Sequence, residues 1–157
     1  MKWVTRERPK IDRLACPWLI QRFIDREAEI QYVPAAEVLT VAQRDGAIPF
    51  DVPGVELTHS GPLCSFDAFL EKYNLEDAAL ARLAEIVRAA DTDTLDRSAQ
   101  AAGLLAISLG LGVNIGDDQE LLKTALPIYD ALYTWCRSLD GERHGWHPQT
   151  ILKDMGL

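Results

Sequence analysis

The stretch MKWVTRERPKIDRLACPWLIQRFIDREAEIQYV, residues 1–33, decides how this chain begins to fold. Residues 2–5 predict a short strand, and the alternating residues 29–33 predict a second one. Between them, apolar residues recur at near-helical spacing, which predicts a helix. Because proline is tolerated only in the first turn of a helix, Pro17 favours a helix over residues 16–24.

The remaining sequence adds short elements first and long helices later. In the first half we expect a helix, an extended piece, a strand and a second helix capped by Ser65, at residues 35–44, 48–50, 55–59 and 66–73. The second half looks wholly helical, at residues 75–90, 98–111 and 119–139, and the Ala/Leu-rich middle helix is expected to be buried. This order predicts one α+β domain over residues 1–157, with a small, mostly antiparallel or mixed sheet packed against a helical C-terminal half, and a flexible tail from residue 143.

The composition narrows the class of protein. The net charge is −8, but residues 1–13 hold five bases and two acids, so the rest of the chain is strongly acidic. An acidic body argues against nucleic-acid binding, whereas the basic start could hold a small anion or could be a solvated arm. No apolar run reaches the roughly 20 residues of a membrane span, and the N-terminus lacks the apolar core of a signal peptide. Three widely spaced cysteines fit a reducing compartment, so we expect a cytoplasmic protein without a membrane partner.

Cys16 is the candidate catalytic residue, although the sequence leaves open whether the protein is an enzyme. A thiol at a helix start feels the positive end of the helix dipole, which favours the reactive thiolate. Arg13 would add to this effect. The alternative is a small hydrophobic side chain packed beside Trp18.

His59 and Cys64 bracket a short loop, HSGPLC, whose glycine and proline force a turn. Imidazole and thiolate are ligands for zinc or iron, and Asp67, Asp91 or Asp93 could complete such a site. We expect His59, Cys64 and Asp91 to form one metal-capable pocket. The alternative is a hydrogen-bonded loop histidine above a buried cysteine. The glycines of residues 110–116 lack the context of a dinucleotide fingerprint, so no nucleotide cofactor is expected.

Three parts of the sequence resemble the ChrB C-terminal domain, a family of bacterial chromate resistance. They are WVTR (3–6) with IDRLACPWLIQRFID (11–25); IPFDVPGVEL (48–57) with His59, Cys64, Phe66 and Asp67; and IVRAADT (86–92) with AAGLLA (101–106). The resemblance covers almost the whole chain and keeps the order and spacing of the family. The resemblance implies a pocket formed by Arg6, Asp12, Arg13, Trp18, Arg22, His59, Cys64 and Asp91.

The resemblance implies a role in chromate resistance, in operons with a chromate efflux transporter. Longer members carry a regulatory N-terminal region or a rhodanese-like sulfurtransferase domain. Because this chain begins at the WVTR motif, we expect neither here, and no direct contact with nucleic acid.

The leading hypothesis is an accessory module that binds an oxyanion such as chromate or sulfate through Arg6, Asp12, Arg13, Trp18 and Arg22, beside a zinc or iron ion on His59, Cys64 and Asp91. One alternative is a small metal- or thiol-dependent enzyme of redox or sulfur-transfer chemistry. Another is an interaction domain for a separate sulfurtransferase or regulator of the same system.

Overall fold

Three parallel strands form the sheet, in the order β2-β1-β3, in a computed structural model that describes residues 1–157. They are β1 (Lys2–Arg6), β2 (Glu29–Val33) and β3 (Ile48–Pro49). In the register, Trp3 of β1 lies opposite Ile30 on one side and Ile48 on the other. The expected antiparallel or mixed sheet is therefore wrong. The reason is that a helix follows β1 and another follows β2, and such crossovers return the chain in the same direction.

Seven helices make up most of the remaining structure: α1 (Asp12–Leu19), α2 (Val38–Asp45), α3 (Ser65–Lys72), α4 (Ala78–Asp91), α5 (Ala101–Asn114), α6 (Asp118–Thr134) and α7 (Pro148–Asp154). Wider π-helical turns continue α1 through Ile24 and α6 through Leu139. A small N-terminal sheet with a helical second half is consistent with the predicted α+β class. None of the helices is long and apolar enough to cross a membrane.

Two local predictions differ from the structure before α4. Residues 55–58 form bends rather than a strand, after a turn at residues 53–54 in which Gly54 has a positive φ of 84°. Cys64, not Ser65, stands at the N-cap of α3, and Ser65 is the first helical residue. The Asp67 carboxylate accepts a hydrogen bond from the Cys64 N–H at the start of α3. The Ser65 hydroxyl is therefore not needed for capping.

Pro17 lies inside α1, which begins five residues before it, so the expected helix start near Cys16 is wrong. Proline has no N–H, and the carbonyl of Arg13, four residues earlier, is left without its helical donor. The hydroxyl of Tyr32 on β2 donates to that carbonyl over 2.7 Å. The sheet therefore supplies the hydrogen bond that the helix lacks.

The two faces of the sheet pack against hydrophobic clusters of different size. Successive residues of a strand point to opposite faces. Trp3 accordingly belongs to a cluster of 29 buried residues shared with the helices, whereas Val4 joins a cluster of five around α2. In α5 only Ala101, Leu104 and Ser108 are buried, so the prediction that this helix is buried is wrong. The tail predicted to be flexible contains α7, which has no buried residue.

Candidate functional site

The candidate site lies at the edge of the sheet where β1 and β3 end. Carboxyl ends of parallel strands share one edge, and the segments that follow them meet there. The segment after β1 leads to Asp12 at the start of α1, and the segment after β3 carries Asp51. Ile11 and Asp51 have positive φ angles of 44° and 52°, which are rare for residues other than glycine. Strain of this kind is concentrated at functional sites.

The imidazole of His59 faces three carboxylates at this edge. Its Nε2 atom is 2.9 Å from Asp91 Oδ2, and 3.3 Å from both Asp12 Oδ2 and Asp51 Oδ1. Hydrogen bonding to Asp12 and the negative charge of the three acids outweigh partial burial and raise the pKa of His59 from 6.5 to about 9. The His59 side chain is 40% exposed, so the cluster opens to solvent on this side.

Asp12 is the buried anchor of the cluster. Its Oδ2 accepts a hydrogen bond from the Ser65 N–H at 2.6 Å, and its Oδ1 accepts one from the Phe66 N–H at 3.1 Å. These are the first free backbone donors of α3, and a carboxylate near a helix N-terminus is favourable. Asp12 therefore fixes α3 against α1 and still presents Oδ2 to His59.

Asp51 links the cluster to the two basic residues of the site. Its Oδ2 accepts a hydrogen bond from Arg6 Nη2 at 2.9 Å and lies 3.3 Å from Arg13 Nε. Its Oδ1 accepts the hydroxyl hydrogen of Ser65 at 2.8 Å. Arg13 also donates to the carbonyl of Arg6. The arginines therefore neutralise Asp51 and hold it rigidly beside His59.

Asp91, the last residue of α4, has the fewest partners. Besides His59 it accepts only a long hydrogen bond of 3.4 Å from the Asp12 N–H. Burial, and then the negative charges of Asp12 and Asp51, raise the pKa of Asp91 from 3.8 to about 6, and His59 opposes that rise. A further positive charge at this point would therefore be stabilising.

The geometry of this group fits a metal ion. Asp12, His59 and Asp91 each offer a ligand atom, and these atoms all lie within 4.8 Å of one another. Metal–ligand bonds of about 2.0–2.2 Å place neighbouring ligands about 3 Å apart at right angles and about 3.5 Å apart at tetrahedral angles. The separations around His59 Nε2 already match this range.

Comparison with known proteins places the whole arrangement in one family. The family model described as "ChrB, C-terminal domain" matches residues 3–136, which include every residue of the cluster. The chain belongs to the ChrB C-terminal domain family. Protein ChrB of Cupriavidus metallidurans is 34% identical over 134 residues, covering 85% of this chain and 40% of that protein. This chain thus spans less than half of that relative. No solved structure matches it.

Membership of the ChrB C-terminal domain family confirms the resemblance found in the sequence and supports a protein related to chromate resistance. The predicted site residues are distributed unevenly in the structure. Arg6, Asp12 and Arg13 lie together with His59 and Asp91. Of the remaining predicted residues, Trp18, Arg22 and Cys64 have other partners, and Cys16 contacts the cluster only through Asp12.

Cys64 adds no atom to the metal-capable group of this ChrB domain. Its thiol donates to Asp67 Oδ2 at 3.3 Å, and Asp67 is held in turn by two hydrogen bonds from Arg88. Burial and the negative charges of Asp12 and Asp67 raise the pKa of the Cys64 thiol strongly. The structure therefore joins two of the three predicted metal ligands, His59 and Asp91, with Asp12 in place of the cysteine.

Arg22 and Trp18 form a separate cluster around Asp130 of α6. Arg22 donates through Nε and Nη2 to the two oxygens of Asp130, each at 2.9 Å, and Trp18 Nε1 donates to Oδ1 at 2.7 Å. Arg22 and Trp18 therefore have a different partner from Arg6 and Arg13, which contact Asp51.

Cys16 lies in the fifth position of α1 and is fully buried. Its thiol faces Asp12 Oδ1 at 3.7 Å. Burial, and then the charge of Asp12, raise the pKa of Cys16 well above its ordinary value, which is the opposite of a helix-start thiolate. The environment of Cys16 is that of the alternative, a packed hydrophobic residue.

Proposed function

We propose that this chain is the metal-binding module of a chromate-resistance protein, with one divalent cation on Asp12, His59 and Asp91. The observation that carries the proposal is the convergence of three carboxylate oxygens on the single nitrogen His59 Nε2. One N–H can be directed at only one acceptor, so a proton on His59 Nε2 can bind only one of the three carboxylates. A divalent ion can bind several of these oxygens at once.

The charges favour the same interpretation. Three carboxylates, two guanidinium groups and a protonated imidazole sum to zero. When a divalent ion replaces the proton of His59, the site gains a net charge of +1. That charge would attract an anion, and Arg6, whose side chain is 39% exposed, lies beside the opening. A tetrahedral oxyanion such as chromate or sulfate would then take an open position on the ion and a hydrogen bond from Arg6.

The donor set selects among metals. One imidazole and two carboxylates without a thiolate suit Mn²⁺, Fe²⁺ or Zn²⁺. This changes the original expectation, in which a thiolate favoured zinc or iron. Three protein ligands leave coordination positions for water or an anion, as in sites that bind or transform a ligand. The thiol-dependent alternative receives no support, because all three cysteines are buried.

The test is a metal titration of the complete chain, purified without a histidine tag and stripped of metal. Calorimetry with Mn²⁺, Zn²⁺ and anaerobic Fe²⁺ should show one ion per chain. His59→Ala and Asp91→Asn should weaken binding at least tenfold. His144→Ala and Asp93→Asn are matched controls outside the group and should bind as the unchanged protein does. Equal binding by all five proteins, or no binding, would refute the site.

A second titration separates the anion from the metal. Sulfate or chromate should bind the metal-loaded chain more tightly than the metal-free chain. Arg6→Ala should weaken anion binding and should change the metal affinity by less than about threefold. An anion affinity that is equal in the metal-loaded and metal-free chain would overturn the proposal that the anion binds beside the metal. Turnover of a redox or sulfur substrate by the loaded protein would assign an enzyme in place of a binding module.

A further inference from the structure

Helix α5 exposes apolar side chains where a surface helix usually carries charges. The 19 residues 98–116 contain no charged residue, although 25% of the whole chain is charged. Ile107, Leu109 and Val113 are 51%, 49% and 85% exposed. A surface helix of a globular protein normally places its polar residues on the outer side. The outer side of α5 therefore resembles a surface that another protein covers.

This apolar surface continues onto α6. Ile107 of α5 and Ile128 of α6 line the same small gap between the two helices. Ile128 also lines a groove of about 560 Å³ together with Pro127, Ala131, Leu132 and Trp135. We call the exposed residues of α5 and this groove the α5–α6 face. It is continuous, apolar and lies within the part of the chain that matches the family.

We infer that the α5–α6 face is the contact between two copies of this chain. The charge distribution is the reason for choosing a second copy. The chain carries a net charge of −8, so most faces would bring like charges together when two copies meet. In a two-fold symmetric contact the same patch meets itself. A charge-free patch can do so without electrostatic repulsion, and apolar groups gain about 25 cal/mol per Å² when they leave water.

The tail helix α7 is the competing occupant. It exposes Leu152 at 46%, and no residue of α7 is buried. At about 1.5 Å per residue, however, the seven residues of α7 span about 10 Å, whereas the fourteen of α5 span about 21 Å. The tail could cover only half of the face, so a second copy fits it better.

The size of the face sets the expected affinity. Two helices about 10 Å apart and about 21 Å long present roughly 400 Å² in projection, and the accessible area of such a ridged surface is larger. Two copies would together bury about 1,000 Å², the lower limit for a specific interface. We therefore expect a reversible dimer with a dissociation constant in the micromolar range.

Sedimentation of the complete chain from about 1 to 200 µM tests the inference independently of the metal site. The protein should pass from monomer to dimer over this range. Ile107→Glu and Ala131→Glu, one on each helix, should weaken the dimer at least tenfold. The matched control is Leu39→Glu on α2, because Leu39 is 57% exposed and lies outside the face. Circular dichroism should show that all variants stay folded.

Three outcomes would overturn the inference. The first is a monomer throughout the concentration range. The second is a dimer that Ile107→Glu and Ala131→Glu leave intact, or that Leu39→Glu weakens equally. The third is dimerisation that appears only after removal of residues 141–157, since the tail would then be the natural occupant of the face.

Discussion

Asp12 and Asp91 face the same imidazole, yet the structure predicts that only Asp12 contributes strongly to the stability of the metal-free protein. Asp12 is 1% exposed and accepts hydrogen bonds from the Ser65 and Phe66 N–H groups. Asn at this position can accept only one of them, and its amide N–H₂ group would face the other donor. Asp91 accepts one long backbone hydrogen bond, and its raised pKa shows that the fold disfavours its charge.

The magnitude for Asp12→Asn follows from these contacts. A hydrogen bond to a buried charged group contributes about 1.5–3 kcal/mol, and a carboxylate near a helix N-terminus contributes about 0.3–1 kcal/mol. We therefore expect the free energy of unfolding to fall by about 2–4 kcal/mol. For Asp91→Asn we expect a change of less than about 1 kcal/mol, because the lost contact with His59 is offset by relief of repulsion among the acids.

Urea unfolding in the presence of a chelator, followed by tryptophan fluorescence, measures both changes. With a slope of about 2 kcal/mol per molar urea, the midpoint for Asp12→Asn should drop by about 1–2 M. The midpoint for Asp91→Asn should stay within about 0.5 M of the unchanged protein. If Asp12→Asn were as stable as the unchanged protein, or if Asp91→Asn lost as much, the assignment of Asp12 as the structural anchor would be wrong.

Three further predictions concern the surroundings of the site. Tyr32→Phe removes the hydroxyl donor to the Arg13 carbonyl and should lower the free energy of unfolding by about 1–3 kcal/mol, again measured in urea; an unchanged value would refute the role of Tyr32 in supporting the helix around its proline. Cys16 and the other two thiols should react with a thiol reagent only as fast as the protein unfolds, so rapid modification of the native protein would contradict their burial. The pKa of His59 in the metal-free protein should be near 9 by NMR. Since the pKa of His59 in the folded protein lies above its unfolded value of 6.5, the stabilising contribution of His59 is complete below pH 6.5 and is lost as the pH rises through 9. The His59→Ala variant should not show this decline in stability.

The sequence predicted helices better than it predicted the sheet. Apolar residues at helical spacing predicted helices over 75–90 and 119–139, close to α4 and α6, although the predicted cap Ser65 was wrong. Strand direction has no such local mark, because alternation is the same in parallel and antiparallel strands. The alternation of strand, helix and strand over residues 1–50 is the signal that indicates a parallel sheet, and it was available.

Composition also led to the wrong prediction that α5 is buried. A run rich in Ala, Leu and Gly shows that a helix is apolar, and it does not show what covers that helix. With only three of its residues buried, α5 has too few neighbours within the chain to cover it. The same property that suggested burial is what makes its exposed side a candidate interface.

The site shows that the direction of a side chain, and not its residue type alone, decides whether it can be a ligand. His59 and Cys64 are close in sequence, and this proximity favoured Cys64 as a ligand, yet the turn between them directs the thiol to Asp67. Asp12 and Asp91 are separated by 79 positions in the chain, and no local pattern joins them. Once β1 and β3 are parallel, however, the segments after both strands must meet at one edge. Asp12 and Asp51 follow those two strands, so a parallel sheet by itself predicts two of the three carboxylates around His59, including Asp51, which the motif analysis missed.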